Sequence, residues 1–78
     1  MYVIVETFIA GGEATNTNVR VRPVEGQGFP NTMRVECSRA MRTSAPVGTR
    51  FRLRAKQITR EGGTPFLYSN PRDPWEVA

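Results

Sequence analysis

The sequence predicts an all-β fold, a small five-stranded barrel formed by a single domain that spans residues 1–78. Three observations lead to this prediction. No stretch repeats its apolar residues with the period of about 3.6 that is typical of an amphipathic helix. Several stretches instead alternate between apolar and polar residues, as half-buried strands do. Gly, Pro and Asn, which favour turns, separate these stretches.

The first three strands follow from composition and alternation. Residues 2–9 (YVIVETFI) are rich in β-branched and aromatic residues and are apolar on both sides, which is typical of a central or strongly curved strand. A polar loop at residues 10–18 separates them from residues 18–25 (NVRVRPVE), which alternate. Pro23 ends this strand or places it at an edge, because proline cannot donate a ladder hydrogen bond. Residues 32–39 (TMRVECSR) alternate again and form the third strand.

The second half of the chain predicts a helical turn and two further strands. Ser38 is a suitable cap for one turn of helix. Residues 50–60 (RFRLRAKQITR) form the longest strand, and their alternation falters at Gln57–Ile58, which predicts a β-bulge that bends the strand. Residues 61–63 (EGG) are typical of a hairpin turn, and residues 65–69 (PFLYS) form the return strand.

Three strands, a short helical turn and two strands are the element order of an OB-like barrel. An SH3-like barrel is the alternative, because it too is built from a few short strands. Residues 70–78 (NPRDPWEVA) are predicted to form an extended C-terminal tail that packs on or near the barrel. A chain this short has a modest core and little room for a deep catalytic cleft.

The charge is concentrated in the middle of the chain. The net charge is +4, but residues 15–60 hold ten Arg and Lys against two Glu, a net of +8, and the stretch on either side carries −2. Such a field raises the local concentration of anions and speeds encounter with polyanions. Arginine, which supplies most of these cations, presents planar, forked donors that match phosphates and carboxylates.

Two sets of cations make up the candidate binding surface. Alternate residues of the strand at 50–60 lie about 6.6 Å apart on one face, which is similar to two steps of about 3.4 Å along a nucleic-acid strand. Glu36 is the expected compensating carboxylate, and a solvated strand face is the alternative interpretation. Arginines also lie on the outward side of the second and third strands, the face that binds oligonucleotides in OB-type barrels together with the loops predicted at 10–18 and 61–64. Phe29 is the likeliest exposed ring. The predicted nucleic-acid-binding residues are Arg20, Arg22, Arg34, Arg50, Arg52, Arg54, Lys56 and Phe29.

The composition excludes several classes of site. The chain has no histidine and one cysteine, Cys37. It therefore cannot build an internal disulfide, a zinc site of the usual kind, or a Ser-His-Asp or Cys-His catalytic arrangement. Its carboxylates show no spacing typical of an acid/base pair. We predict a non-enzymatic protein without cofactor or metal, in which Cys37 is a small core residue.

Nucleic acid is the predicted partner, bound mainly by electrostatic contacts and with weak sequence preference. The alternative is a protein-interaction or assembly module that binds an acidic protein, or that self-associates through an edge strand such as 18–23 or 65–69. No membrane contact is expected, because no apolar run approaches the length of a membrane span. We expect a cytoplasmic monomer or weak homodimer.

Overall fold

Two β-sheets and one short helix form the protein in a computed structural model that describes residues 1–11 and 18–78. The elements are β1 (Tyr2–Ile9), β2 (Val19–Pro23), β3 (Val35–Glu36), α1 (Arg39–Thr43), β4 (Arg50–Arg54), β5 (Lys56–Ile58), β6 (Phe66–Tyr68) and β7 (Trp75–Val77). The first sheet has the order β2-β1-β4-β7 and the second the order β3-β6-β5. The prediction of a small, mostly-β fold is confirmed, but strand hydrogen bonds among the described residues do not close the two sheets into one barrel. Most of the loop predicted at residues 10–18 lies outside the described residues.

β1 is the central strand that its composition predicts. It pairs antiparallel with β2 on one side and with β4 on the other. The side chains of Val3, Val5 and Thr7 are buried, and the residues between them lie on the outer face of the sheet. The buried Thr7 hydroxyl accepts a hydrogen bond from the Gly48 N–H at 3.0 Å, so this polar group is satisfied inside the core.

The segment predicted as one strand, residues 50–60, is divided between the two sheets. β4 belongs to the first sheet and β5 to the second. Ala55 lies between them, buried in the core, and its N–H donates to the Met1 carbonyl at 2.8 Å. The predicted bulge at Gln57–Ile58 is wrong in position, because both residues pair with β6 in register. The chain passes between the sheets at Ala55, whose small side chain fits in the core where the two sheets meet.

The second sheet has β6 at its centre. β6 pairs antiparallel with β5 and parallel with β3. The hairpin predicted at residues 61–63 is present, and the Gly63 N–H donates to the Arg60 carbonyl at 2.8 Å. Gly62 has a φ of +71°, a conformation that glycine adopts without strain. The suggestion that residues 65–69 offer a free edge is wrong, since both sides of β6 are already paired.

One buried cluster joins the two sheets and the helix. It comprises Val3, Val5, Val21, Met41, Phe51, Leu53, Ala55 and Leu67. The predicted cap of α1 is present, because the Ser38 hydroxyl accepts a hydrogen bond from the Met41 N–H at 3.4 Å. In residues 1–11 and 18–78, no helix has the length and apolar character needed to cross a membrane.

The C-terminal residues contribute an edge strand. β7 pairs antiparallel with β4, and the Ala78 N–H donates to the Arg50 carbonyl at 2.9 Å. The Trp75 ring stands edge-on to the Phe51 ring with a centroid distance of 5.5 Å. Because the Phe51 side chain is fully buried, this contact ties β7 to the core.

Candidate functional site

A groove of about 860 Å³ lies between β2 and β3, and we call it the arginine groove. Five arginines line it: Arg20, Arg22, Arg34, Arg39 and Arg42. The rings of Phe8 and Tyr68 line it too, and Glu36 is the one carboxylate among the described lining residues. Five cations and one anion around a concave surface focus a positive potential and attract anions.

The alternation of β2 directs two of these arginines. Val19 and Val21 are buried, which places Arg20 and Arg22 on the opposite face of the strand. The guanidinium carbon of Arg22 lies 4.9 Å from the centroid of the Phe8 ring, a cation–π contact. Arg20 lies opposite Phe8 in the register of β1 and β2. An aromatic ring is therefore placed beside two cations in the groove wall.

α1 directs two more arginines. Arg39 and Arg42 are three residues apart and lie on one side of the helix, while Met41 is buried in the core. Arg42 Nη1 donates to the Val19 carbonyl at 3.1 Å, and Arg42 Nε is buried with no hydrogen-bond partner in the described part of the chain. The Arg42 side chain is thus packed against β2, whereas Arg39 is exposed.

The outer edge of β2, which borders the groove, has few free backbone N–H and C=O groups with which another strand could pair. In an antiparallel pair, alternate residues turn their N–H and C=O away from the partner strand. The Val24 N–H donates to β1, and this sets the alternation. The backbone groups of Val19, Val21 and Pro23 therefore point away from β1. Arg42 occupies the Val19 carbonyl, and proline has no N–H. Of these three residues, only Val21 offers both a donor and an acceptor that Arg42 leaves open.

The predicted row of cations at 50–56 is divided with its strand. Arg50, Arg52 and Arg54 lie exposed along β4 in the first sheet, and Lys56 lies exposed on β5 in the second. The guanidinium carbons of Arg52 and Arg54 each lie 5.6 Å from the centroid of the Tyr2 ring. An aromatic side chain of β1 therefore already contacts two members of the row.

Carboxylates from both ends of the chain neutralise part of this outer face. Glu6 accepts a hydrogen bond from Arg50 Nε at 3.1 Å and one from Arg22 Nη2 at 3.4 Å. These hydrogen bonds, that of Arg50 first, hold the pKa of the Glu6 carboxyl below its ordinary value. Glu76 of β7 pairs with Arg52. The row on β4 is thus a mixed surface of cations, anions and a ring.

Glu36 does not compensate the row on β4, contrary to expectation. Its carboxylate lies 2.8 Å from Arg34 and 3.7 Å from Arg60. These two arginines also approach one ring, since their guanidinium carbons lie 5.9 and 4.7 Å from the centroid of Phe66. Arg34 and Arg60 therefore form a separate pair beside the second sheet.

The aromatic part of the prediction needs correction. Phe29 was expected to be an exposed ring, but it is half-buried and packs against the core cluster. Phe8, an aromatic residue of β1, lies half-buried in the arginine groove and not in the core. Tyr68 also lines the groove, and no sequence signal singled it out, because its place depends on the parallel pairing of β3 with β6.

The groove does not carry an activated thiol. Cys37 lines it, but burial raises the pKa of the thiol to about 11, against a smaller lowering by the Arg42 charge. A thiol with this pKa is almost entirely protonated at neutral pH and is a poor nucleophile. In the described residues, no three His, Cys, Asp or Glu side chains are placed to hold a metal ion.

Comparison with models of known protein families, with curated protein sequences and with solved structures gives no match to this chain.

Proposed function

We propose that this protein is a non-enzymatic module that binds single-stranded nucleic acid in the arginine groove. The observation that carries the proposal is the meeting of five arginines and two aromatic rings in one concave surface. Guanidinium groups match the geometry of phosphate oxygens, and rings stack on unpaired bases. A duplex hides the faces of its bases, so recessed rings favour a single strand.

The strand pairing supports an OB-like interpretation of the fold. If β4 and β5 are treated as one strand that bends at Ala55, the neighbours run β2, β1, β4/β5, β6, β3. β3 then comes back beside β2, with which it is in contact. In this interpretation the strands would form a barrel that stays open between β2 and β3. OB-type barrels are partly open and bind oligonucleotides with this region. The arginine groove lies at that opening.

The alternative of self-association through residues 18–23 or 65–69 has less support. The edge of β2 lacks the run of donors and acceptors that strand addition requires, because of Arg42 and Pro23. β6 is a central strand. An acidic protein that binds the groove by charge alone would not need the two rings, so the rings distinguish that candidate from nucleic acid.

Fluorescence anisotropy with labelled single-stranded and duplex oligonucleotides at several salt concentrations tests the proposal. The informative variant is Arg39→Ala, because this exposed side chain lines the groove. Lys56→Ala is the matched control, since it removes the same charge from β5, which does not line the groove. We expect Arg39→Ala to weaken single-strand binding and to reduce the slope of log affinity against log salt by about 0.7, with a smaller effect of Lys56→Ala.

A second variant tests base stacking separately from electrostatic binding. Tyr68→Leu keeps the net charge and an apolar side chain but removes the ring. Loss of one stacked base costs about 1–3 kcal/mol, or roughly 5- to 150-fold in affinity. If Tyr68→Leu and Arg39→Ala both bind like the unmodified protein, the groove is not the binding site. If poly-glutamate competes as well as an oligonucleotide of equal charge, the partner is an acidic protein.

A further inference from the structure

A second cavity of about 520 Å³ adjoins the arginine groove. Its wall contains Arg34 and Arg60 together with the apolar surfaces of Pro30, Pro65 and Phe66. It lies beside the turn that joins β5 to β6, since Gly63 and Thr64 also line it. A cavity lined by both cations and apolar surface suits a nucleotide, which carries a phosphate and a flat base.

The two cavities share one wall. Residues 32–34 line both of them, and Arg34 belongs to this shared wall. The Arg34 side chain is 70% exposed and lines both cavities. A ligand that leaves the arginine groove over this wall meets the second cavity next.

Arg34 and Arg60 are held in place before any ligand binds. Glu36 contacts both guanidinium groups on one side, and the ring of Phe66 lies near both. A guanidinium group has five N–H donors, and these contacts use only a few of them. The side chains are 70% and 66% exposed, which leaves the other donors directed toward solvent. Two arginines that share one carboxylate keep a net charge of +1, and their remaining donors can bind phosphate oxygens.

We propose that a bound single strand continues from the arginine groove across residues 32–34 into the second cavity, where Arg34 and Arg60 bind its phosphates. This inference rests on the proposed function and extends it to the length of the site. One OB-type domain covers about 4–16 nucleotides. The arginine groove then binds the few nucleotides at the short end of this range. The second cavity binds further nucleotides, which only a longer strand has.

The test compares the length dependence of two variants. Binding of single strands of about 4 and about 10 nucleotides is measured for the unmodified protein, Arg39→Ala, Arg60→Ala and Lys56→Ala. We expect Arg39→Ala to weaken both lengths. We expect Arg60→Ala to weaken only the longer strand and to lower its salt slope by about 0.7. Thr64→Glu, which adds an anion to the second cavity, should also weaken only the longer strand.

The possible failures are distinct. If Arg60→Ala and Thr64→Glu leave both lengths unchanged while Arg39→Ala weakens both, the second cavity is not part of the site and the proposed function stands. If Arg60→Ala weakens both lengths equally, the strand does not run in the proposed way. If neither length binds to the unmodified protein at low salt, the proposed function fails and this inference fails with it. Melting temperatures of all variants show that each compared protein is folded.

Discussion

The side-chain amide of Gln27 forms hydrogen bonds with the backbone of β1 at Ile4, just beyond the last residue of β2. Removal of this amide should destabilise the fold. The Gln27 Oε1 accepts a hydrogen bond from the Ile4 N–H at 2.8 Å. Its Nε2 donates to the carbonyls of Ile4 and Val24, both at 2.8 Å. One amide group thus satisfies three backbone groups where β2 has ended. Gln27→Met keeps the length of the side chain but removes all three hydrogen bonds.

The expected loss follows from the groups that remain. The Ile4 carbonyl keeps its bond from the Val24 N–H at 3.0 Å, so it loses little. The Val24 carbonyl loses its bond from Gln27, and as a backbone acceptor beside a turn it can be hydrated instead. The half-buried Ile4 N–H loses its partner, and an unsatisfied group of this kind costs about 1–3 kcal/mol. We therefore expect a destabilisation of about 2 kcal/mol. In a protein of this size each kcal/mol lowers the melting temperature by about 4–8 °C, so the fall should be about 8–16 °C.

Thermal unfolding followed by circular dichroism measures this change. Gln57→Met is the matched control, because Gln57 is an exposed residue of β5. Its melting temperature should stay within about 2–4 °C of the unmodified protein, since surface substitutions usually change stability by less than about 0.5 kcal/mol. Equal melting temperatures for Gln27→Met and Gln57→Met would refute the role assigned to the Gln27 amide.

Four further predictions concern three side chains. Glu6→Gln should lower the melting temperature at neutral pH. Because the pKa of Glu6 is lowered in the folded protein, its contribution to stability is present above the unfolded pKa of about 4.3 and disappears as the pH falls through the folded pKa. The difference in melting temperature from the unmodified protein should therefore vanish at acid pH. Cys37 should react slowly with a thiol reagent in the folded protein, with the rate rising toward pH about 11, and should react rapidly in denaturant. The raised Cys37 pKa also means that stability should fall as the pH rises from about 8.5 toward the folded value. Ser38→Ala should cost about 1 kcal/mol in urea unfolding by removing the cap of α1, whereas Ser38→Asp should retain most of it.

Local sequence patterns predict β1, β2 and β4 well, because each of these strands has a buried and an exposed side. The alternation of residues 19–23 and 50–54 places every valine, phenylalanine and leucine inward and every arginine outward, as the structure has them. Ser38 likewise identifies the start of α1. These features depend on neighbours within a few positions. The alternation with a period of two shows which side chains of a strand are buried and which are exposed.

Features that depend on distant partners were not predictable in the same way. The change of sheet at Ala55 has no local signal, since the apolar and polar alternation continues through it. Phe29 lies in a polar turn and is nevertheless held against the core. The third strand, predicted at residues 32–39, is only Val35–Glu36 in the structure, where it pairs in parallel with β6. The ring of Tyr68 enters the groove as a consequence of that pairing.

The uneven charge along the chain has a different distribution on the folded surface. The ends of the chain are acidic, and two of their carboxylates, Glu6 and Glu76, lie on the first sheet against arginines of the basic middle segment. The arginine row on β4 was the main candidate for a binding surface in the sequence, and folding neutralises part of its charge. In the arginine groove, Arg39 and Arg42 have no carboxylate within ion-pair distance among the described residues, and Glu36 is shared by Arg34 and Arg60. Arg39 and Arg42 therefore lie on a concave surface together with two aromatic rings, which is why we propose the groove, and not the longest arginine row, as the nucleic-acid site.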